Sequence, residues 1–524
     1  MPQTLTRTDL ATGATESMSF AYDGSMTTGV TFAGTVNGSI GLTFDNNFWV
    51  TSESVNGDAI NLSYDNDGRL KTVGDLTITR NNQNGFLTGT ALGSIVDSYA
   101  FSTFGETTSY NAKVGASSVF DVQYTRDAIG RIVTKTETVG GATTVYEYSY
   151  DAAGRLIAVK ENGVTVSTYD YDANGNRITA VTKAGTFQGF YDLQDRMTRY
   201  GDADYTYTAN GELKTKTDAT GISTYNYDVF GNLRGAIMPD GTSVEYIIDA
   251  SNRRIGKKVN GALVQGFIYK DQLEPIAELD GAGNVVARFV YASKGHVPDY
   301  MIKGGVIYRI ISDHLRSVRL VVKASDGSIA QRIDYDEFGN VVTDSNPGFQ
   351  PFAFVGGIYD QHTQLTRFGA RDYDAITGRW TSKDAVGFAG GSLNLFAYVS
   401  NDPINYYDRT GFFKEPSATP KEAKPYAKIL DFRKGAEGAA KSSARFIGAR
   451  FLGFIGFFLD ATELADTTWP KNDPNTNAGG GGGGGSSGGN DDDCDDDCFL
   501  KDSDSYESPG RLGFTNWHMF CYYD

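Results

Sequence analysis

Apolar and polar residues alternate in short stretches along most of the chain. The segments TTVYEYSY (Thr143–Tyr150) and TSVEYII (Thr242–Ile248) place tyrosine or aliphatic side chains at every second position. Because side chains two residues apart share one face of a strand, this pattern predicts strands with one buried face. Glycine or Asn-Gly follows such stretches and tolerates the positive φ of tight hairpin turns. With 63 glycines against 13 prolines, the sequence predicts many short β-hairpins.

One phrase marks the turns: a tyrosine, a polar and often acidic residue, two further residues and a glycine. It returns with a period of roughly twenty residues, a spacing typical of repeat architectures. A single hairpin cannot bury its apolar face, so successive hairpins are expected to stack into one long sheet. Such a sheet must twist, curl or close to protect its edges. The clearest copies are YDNDGRL from Tyr64, YDAAGRL from Tyr150, YDANGNR from Tyr171, YTANGEL from Tyr207, YDVFGNL from Tyr227 and YDEFGNV from Tyr335.

The phrase resembles the YD repeat of the Rhs family, which is shared with the C components of insecticidal Tc toxins and with teneurins. Two later segments strengthen the resemblance. SDHLRSVRLVVKASDGSIAQRIDYDEFGNVV (Ser312–Val342) is similar to a family stretch that usually has glycine where Arg316 stands. RDYDAITGRWTSKDAVGF (Arg371–Phe388), with its continuation AGGSLNLFAYVSNDPINYYDRTGF, resembles the Rhs-associated core.

The resemblance implies a mostly β fold, in which YD-repeat hairpins form a long spiralling antiparallel sheet that makes a shell or cocoon. It divides the chain into a YD-repeat shell (1–310), an associated core with an autoprotease motif (311–412) and a variable C-terminal region (413–524). The last region is expected to be partly helical or disordered and to be a candidate toxin held inside. Whether the repeats suffice to close the shell stays open. An open β-solenoid or adhesive stalk is the alternative.

Arg371, Asp372 and Asp384 carry the candidate chemistry. Turn residues separate the two aspartates, so a hairpin could bring their carboxylates together. Two carboxylates in contact cannot both ionise easily, so one can activate water while the other protonates the scissile carbonyl. The family resemblance implies the same roles: an aspartyl autoprotease with Asp372 and Asp384 catalytic and Arg371 assisting. Without the resemblance, the same residues are far more typical of turns and surface ion pairs than of a protease.

The resemblance also implies a cleavage site. The family is cut just after a second core motif, which here is DRTGF and contains Asp408 and Gly411. The expected scissile bond is therefore Phe412–Phe413, with the preceding peptide bond as the fallback. The family usually has proline after the first aspartate of each core motif, whereas this chain has Ala385 and, after Asp408, an arginine. Because proline presets φ, its loss could loosen the turns and slow the cut.

The C-terminal region changes composition. Residues 421–465 predict a basic helix that ends in FLGFIGFFL, where Phe451, Phe454 and Phe457 form a candidate membrane-active segment. This apolar run is too short for a standard membrane span, but basic residues leading into it fit insertion at a membrane surface. A buried core helix or a segment kept inside the shell remains open as an alternative.

Glycine and aspartate dominate the end of the chain. Residues 479–489 predict a flexible linker, and residues 490–524 are rich in Asp and Cys. Four side chains could in principle supply zinc ligands, although a disulfide between the first two is an equal alternative: Cys494, Cys498, His518 and Cys521. The sequence predicts no cofactor. The region contains no Ser-His-Asp, HExxH or P-loop pattern, so the activity of a toxin there cannot be predicted.

The charge balance and the start of the chain limit location and partners. The formal net charge of −17 argues against a general nucleic-acid binder, which needs a basic surface. The sequence has no recognisable signal peptide, so we expect a protein made in the cytoplasm and then secreted or translocated as an effector. Expected partners are its own cleaved C-terminal fragment, an immunity protein, a secretion or delivery apparatus and a target membrane. The rivals are a non-cleaving surface or adhesion protein and the same shell with a pore-forming tail.

Overall fold

The computed structural model describes residues 3–9 and 13–417 of the chain. Thirty-three strands form one sheet. Each of these strands except the last pairs antiparallel with the strand that follows it in sequence. The prediction of a mostly β fold built on one long antiparallel sheet is therefore confirmed.

The strands of this sheet are short and follow one another closely. In chain order they are β1 (Thr4–Thr8), β2 (Thr15–Asp23), β3 (Met26–Ala33), β4 (Gly38–Phe44), β5 (Val50–Val55), β6 (Asp58–Tyr64), β7 (Leu70–Val73), β8 (Leu76–Arg80), β9 (Leu87–Leu92), β10 (Ile95–Phe101), β11 (Thr107–Val114), β12 (Ser117–Arg126), β13 (Ile132–Val139), β14 (Ala142–Tyr150), β15 (Leu156–Glu161), β16 (Val164–Tyr171), β17 (Arg177–Thr182), β18 (Gly185–Tyr191), β19 (Met197–Tyr200), β20 (Ala203–Tyr207), β21 (Leu213–Asp218), β22 (Gly221–Tyr227), β23 (Leu233–Ile237), β24 (Ser243–Ile248), β25 (Arg254–Val259), β26 (Ala262–Tyr269), β27 (Pro275–Leu279), β28 (Val285–Val290), β29 (Tyr300–Lys303), β30 (Val306–Ser312), β31 (Val318–Lys323), β32 (Ile329–Tyr335) and β33 (Val341–Asp344).

The turn after β14 shows why the repeated phrase has its residues. The carboxylate of Asp151 accepts hydrogen bonds from the backbone N–H groups of Ala153 and Arg155, both at 2.9 Å. Gly154 has φ of +83°, a conformation that a side chain would strain. The hydroxyl of Tyr150 donates to a backbone carbonyl on the neighbouring strand β13, that of Ile132, at 2.7 Å. Tyrosine thus ties one hairpin to the previous one, while aspartate and glycine close the turn.

The sheet curls so that strands far apart in sequence come into contact. Arg319 of β31 forms an ion pair with Glu137 of β13 at 2.6 Å, across 182 residues. Arg7 of β1 forms another with Asp228, in the turn after β22, at 2.6 Å. The apolar faces of the strands bury two large clusters of side chains. The long sheet therefore obtains its core by packing against itself and against the residues that follow it.

Residues 345–417, here called the end segment, have shorter elements. They contain strands β34 (Ile358–Tyr359), β35 (Thr366–Phe368), β36 (Arg371–Asp374) and β37 (Arg379–Trp380), the pair β38 (Tyr406–Tyr407) and β39 (Glu415–Pro416), and 3₁₀ turns at Phe354–Gly356, Gly387–Gly390 and Val399–Asn401. Its own core is aromatic. The rings of Tyr373 and Tyr398 lie 4.5 Å apart between centroids, and the ring of Trp380 lies 5.4 Å from that of Tyr398.

Buried hydrogen bonds attach the end segment to the sheet. Tyr373 donates to the carbonyl of Phe338 at 2.8 Å. Tyr246 of β24 donates to the carboxylate of Asp360, also at 2.8 Å. The sheet itself runs without a break past residue 310 to β33, while the boundaries predicted at 310 and 412 stay predictions. Among the described residues, no helix is long and apolar enough to cross a membrane.

Candidate cleavage site

Strand β36 sends neighbouring side chains to opposite sides. Adjacent residues of a strand alternate between its two faces, so Arg371 and Asp372 point in different directions. Both are almost fully buried, at 5% and 2% exposure. Because of this alternation, Arg371 and Asp372 lie in separate environments. The sequence prediction, which treated the two residues as parts of one catalytic group, did not include this separation.

The carboxylate of Asp372 lies between two arginines. Nη2 of Arg254, from β25 of the sheet, is 2.9 Å from this carboxylate, and Nη1 of Arg367 is 3.0 Å from it. The predicted contact between Asp372 and Asp384 and the catalytic role of Asp372 stay predictions.

Arg371 instead joins two other aspartates. Its Nη2 is 2.8 Å from Oδ2 of Asp384 and 3.5 Å from Oδ2 of Asp408. The same guanidinium stacks over the ring of Trp380, 4.1 Å from the centroid, and Nη1 donates to the carbonyl of Leu395 at 3.3 Å. The structure therefore brings Arg371, Asp384 and Asp408 together, with a ring and a carbonyl that hold the guanidinium in place.

Burial raises the affinity of both carboxyl groups for protons. It raises the pKa of Asp408 to about 6, an increase that the guanidinium of Arg371 opposes and the nearby charge of Asp384 supports. Burial also raises the pKa of Asp384, again opposed by Arg371. Two neighbouring carboxyl groups with raised pKa values can share one proton, which is the requirement of an aspartyl protease.

The predicted cleavage site lies next to Arg371, Asp384 and Asp408. Oδ1 of Asp408 accepts hydrogen bonds from the backbone N–H of Phe412 at 3.1 Å and of Gly411 at 2.8 Å. A Cβ built on Gly390 would lie 2.9 Å from Oδ2 of Asp384 and 3.1 Å from the carbonyl oxygen of Phe412. The two oxygens are therefore no farther apart than the sum of those distances. Arg371, Asp384, Asp408 and Phe412 line one cavity, here called the cleavage cavity.

Gly411 is required by close packing of the backbone. Its φ is +73°, and a Cβ there would lie 2.7 Å from the carbonyl oxygen of Phe368 and 2.9 Å from the backbone N of Arg371. No side chain fits in that space. The DRTGF motif thus passes directly over the start of β36. Phe412 is buried, while Phe413 on the other side of the predicted bond is half-buried.

The turns that lack proline are nevertheless formed. Oδ1 of Asp384 accepts from the N–H of Val386 at 3.0 Å, and its carbonyl accepts from Gly387 at 3.1 Å, so the turn closes with Ala385 in place. Arg409, where the family usually has proline, forms an ion pair with Glu415 at 2.9 Å. Side-chain hydrogen bonds from aspartate to the turn amides replace the conformational restriction that proline would supply.

Sequence reasoning missed several contributors to this site. It did not identify Trp380, Leu395 or Gly390, which touch the reactive groups, nor Arg254 and Arg367, which hold Asp372. The signal for Trp380 is its position in β37, directly opposite Tyr373 of β36. Arg254 comes from β25, far from Asp372 in sequence, and the pattern of a single sequence carries no trace of that contact. Arg367 lies directly opposite Asp372 in the hairpin of β35 and β36, so the register of this hairpin is a signal that could have identified it.

Other predicted site residues lie outside the described part of the chain. These are Phe451, Phe454 and Phe457 of the candidate membrane-active segment and the candidate metal ligands Cys494, Cys498, His518 and Cys521. Within the described residues, no group of three or more His, Cys, Asp or Glu side chains could hold a metal ion.

Comparison with known proteins identifies the architecture. The family model described as the teneurin YD-shell matches residues 2–404. Teneurin-4 of Mus musculus is 29% identical over 393 residues, which cover 71% of this chain but 14% of teneurin-4. The tRNA3(Ser)-specific nuclease WapA of Bacillus spizizenii is 27% identical over 274 residues, 50% of this chain and 12% of that protein. The chain thus spans a small part of the length of these relatives.

Solved structures share the fold. In the crystal structure of TcdB2-TccC3-Cdc42, the matching region covers 77% of this chain and 23% of the other, with 16% identity and a TM-score of 0.53. At this identity the likeness concerns the fold alone.

Proposed function

The chain belongs to the teneurin YD-shell family, and we propose that it is part of an Rhs-type shell that cuts its own backbone and encloses its C-terminal region. The cut is at Phe412–Phe413 and separates residues 413–524 from the wall. The separated region is a toxin of unknown activity that the shell holds until delivery. Support for the toxin comes from the relative named as a tRNA nuclease and from the shared fold with a Tc toxin component.

One observation carries the cleavage proposal. The carbonyl oxygen of Phe412 and Oδ2 of Asp384 approach the same point above Gly390. A reactive carboxylate and the carbonyl of the expected scissile bond thus share one cavity with Arg371 and Asp408. Because both reactants belong to one folded chain, the effective concentration is very high, and an ordinary catalyst suffices for a single turnover.

Asp384 and Asp408 have different roles in the reaction because their surroundings differ. Arg371, at 2.8 Å, favours the ionised form of Asp384 against the burial that raises its pKa, and ionised Asp384 removes a proton from water as the water oxygen attacks the carbonyl carbon of Phe412. Asp408, whose pKa is raised to about 6, gives its proton to the carbonyl oxygen. The resulting diol collapses. Asp384 protonates the departing nitrogen of Phe413, and one hydroxyl returns its proton to Asp408.

Asp372 acts as a positioning residue in this scheme. Its carboxylate binds Arg254 and Arg367, while its backbone carbonyl accepts a hydrogen bond from the N–H of Thr381 at 2.9 Å. These contacts fix the hairpin of β36 and β37 and therefore the guanidinium of Arg371 on the other face. Loss of Asp372 is expected to slow cleavage through loss of local order.

Analysis of the purified full chain tests the proposal. We expect two fragments, the smaller beginning at Phe413 by N-terminal sequencing, that elute together on native size exclusion. Co-elution follows because cutting one peptide bond leaves the non-covalent contacts of the enclosed region intact. The matched control is Asp384→Asn, which keeps the side-chain shape and is expected to remain one chain.

The outcomes separate the proposal from its rivals. A new N-terminus at Phe412 would move the bond by one residue and keep the mechanism. A wild-type chain that stays whole would support the non-cleaving surface or adhesion protein and overturn the autoprotease. An immunity protein is tested separately, by toxicity of residues 413–524 expressed alone and its rescue by a neighbouring gene product.

A further inference from the structure

A second cavity lies where the end segment meets the sheet, and arginines dominate its lining. Arg254 belongs to β25 of the sheet and Arg253 directly precedes it, whereas Arg367 belongs to β35 and Arg409 follows β38. Among the described residues, no acidic side chain lines this space. Its volume is about 30 Å³, which gives room for about two water-sized species. This space is here called the four-arginine cavity.

Two arginines of the cavity share one carboxylate. Nη2 of Arg254 and Nη1 of Arg367 both donate to Oδ2 of Asp372, at 2.9 Å and 3.0 Å. The three side chains are nearly fully buried, with 6%, 4% and 1% of their surface exposed in that order. A buried charge needs a counter-charge close to it, because little water is present to solvate it. The single carboxylate therefore leaves one of the two guanidinium charges without a counter-charge.

The other two arginines of the cavity each have a carboxylate of their own. Nη2 of Arg253 lies 2.6 Å from Oδ2 of Asp249. Nε of Arg409 lies 2.9 Å from Oε1 of Glu415. Four guanidinium groups thus have three carboxylate partners, and one positive charge is in excess.

The remaining carboxylates near the cavity do not balance this excess directly. Asp360 meets Nζ of Lys257 at 2.8 Å, and Glu274 meets Nζ of Lys270 at 3.0 Å. Asp271 offers its backbone carbonyl to one arginine of the cavity, at 3.0 Å, while Oδ1 of its carboxylate accepts from turn amides. Among the described residues, none of these three carboxylates forms an ion pair with an arginine of the cavity.

The two arginines that share Asp372 also have unused donors. Nε of Arg254 and Nε of Arg367 are buried and have no hydrogen-bond partner among the described residues. Buried donors are normally satisfied, so these N–H groups indicate an acceptor in the cavity that both residues line. Burial lowers the pKa of Arg367, and Arg254 lowers it further against the opposing charge of Asp372, as expected where positive charge is in excess.

We propose that the four-arginine cavity binds one small monovalent inorganic anion, such as chloride, between Arg254 and Arg367. One negative charge balances the one excess positive charge, and the small volume suits a single-atom ion. The N–H groups of arginine form strong, charge-assisted hydrogen bonds to anions. Because one arginine belongs to β25 and the other to β35, the bound anion fastens the end segment to the sheet.

This inference goes beyond self-cleavage and does not rest on it. Asp372 holds the two arginines on one face of β36, while Arg371 reaches the cleavage cavity from the other. The readout is therefore unfolding of the chain and not cutting of its backbone. The Asp384→Asn chain should respond to chloride as the wild type does, so failure of cleavage and failure of anion binding are distinguishable.

Anion-dependent thermal unfolding of the full chain tests the site. Sodium gluconate replaces sodium chloride at constant ionic strength, so that screening of surface charges stays the same. From chloride-free buffer to about 0.2 M chloride, we expect a saturable rise in Tm of about 2 °C, because a ligand that binds only the folded chain stabilises it. Sodium sulfate at equal ionic strength should give a smaller rise. No rise with chloride, or a larger rise with sulfate, would overturn the proposal.

Removal of one cavity arginine assigns the effect to this place. Arg367→Gln leaves three guanidinium groups for three carboxylates, so the chloride-dependent rise should fall to about a third or less. The matched control, Arg319→Gln, removes another buried guanidinium, outside the cavity, where Glu137 keeps Lys135 at 3.4 Å. It should keep the full rise. An equal chloride response in the two variants would contradict the site.

Two further measurements apply if Arg367→Gln folds poorly. Gln272 lines the cavity, so Gln272→Glu supplies a carboxylate there and should remove the chloride response, whereas a full response would count against the site. In wild-type crystals grown with sodium bromide, we expect an anomalous-scattering peak in contact with Nε of Arg254 and Nε of Arg367. A bromide map without a peak at this position would overturn the proposal.

Discussion

Asp151 of the long sheet and Asp372 of the end segment lie in opposite environments. In the turn after β14, Asp151 meets Arg155 at 2.6 Å, and both side chains keep about a fifth of their surface exposed. In the end segment, the side chain of Asp372 is 1% exposed and meets Arg254, more than a hundred residues earlier in the chain. The first pair is local and recurs in other turns, whereas the second is buried and joins distant parts of the chain, as the pair of Asp97 and Arg309 does within the sheet.

The difference shows how one residue type serves two purposes. A turn aspartate satisfies nearby amides and can be exchanged between repeats at small cost. Asp372 is held by two buried arginines in a dry environment, where each charge depends on its partner. Buried, mutually dependent charges of this kind are also typical of catalytic sites.

Removing one aspartate charge from each region should give the largest difference in stability between the two regions. We expect Asp372→Asn to destabilise the chain by about 3–5 kcal/mol, because it leaves two buried arginines without their carboxylate. Asp151→Asn should cost about 0.5 kcal/mol, since asparagine can still accept from the turn amides. Chemical denaturation of both variants measures the difference.

The same variant separates positioning from catalysis. Cleavage by Asp372→Asn should improve when the chain is stabilised, for example at lower temperature. A variant as stable as wild type but unable to cut would contradict the positioning role and assign Asp372 to the chemistry.

The two regions should respond differently to pH, because the pKa values of Asp151 and Asp408 are shifted in opposite directions. Burial raises the pKa of Asp151, but hydrogen bonds and Arg155 outweigh it and leave the pKa lowered. Burial raises the pKa of Asp408 from 3.8 to about 6. The folded chain therefore binds the Asp408 proton more tightly than the unfolded chain. This stabilising contribution is complete below about pH 4 and is lost as the pH rises through 6.

Cleavage should follow the protonation of Asp408. For full chain refolded from urea at a series of pH values, we expect the rate to fall roughly tenfold per unit above pH 6. It should also fall in acid, as Asp384 gains a proton. A rate that stays constant between pH 6 and 8 would exclude Asp408 as the proton donor.

Glycines also differ between the two regions. Gly390→Ala would place a methyl group 2.9 Å from the carboxylate of Asp384 and 3.1 Å from the carbonyl of Phe412. We expect cleavage to slow about tenfold, since small displacements of reacting groups are costly. Gly154→Ala meets no atom within 4 Å but adopts φ of +83°, so it should cost about 1 kcal/mol and leave cleavage unchanged. The reverse outcome would show that Gly390 has a purely structural role.

A further prediction concerns Arg316. It holds the turn position that Gly154 holds elsewhere, with φ of +75°. Arg316→Gly should therefore stabilise the chain by about 1 kcal/mol by removing strain, seen as a small rise in Tm. A fall in Tm would show that the guanidinium of Arg316 stabilises the fold.

The sequence predicts the long sheet well because the residues that form each hairpin lie close together in the chain. Tyrosine, aspartate and glycine act within one hairpin, so the seven-residue segment YDAAGRL is enough to predict the roles of Tyr150, Asp151 and Gly154. Their repetition then predicts the stacked sheet. The family resemblance singles out Asp384, Asp408 and the predicted bond after Phe412, and in the structure Asp384, Asp408 and Phe412 line one cavity.

What could not be predicted follows from long-range packing. Arg254 reaches Asp372 from β25, and this approach depends on how the whole sheet curls, whereas Arg367 lies directly opposite Asp372 in the hairpin of β35 and β36. The alternation of β36, which directs Arg371 and Asp372 to different partners, was not part of the sequence prediction.

Intact mass spectrometry of the purified full chain tests the central claim most directly. The account predicts two masses for wild type that meet at the bond after Phe412, and a single mass of 56.7 kDa for Asp384→Asn and Asp408→Asn. A wild-type chain recovered whole, or an Asp384→Asn chain cut at the same bond as completely as wild type, would contradict it.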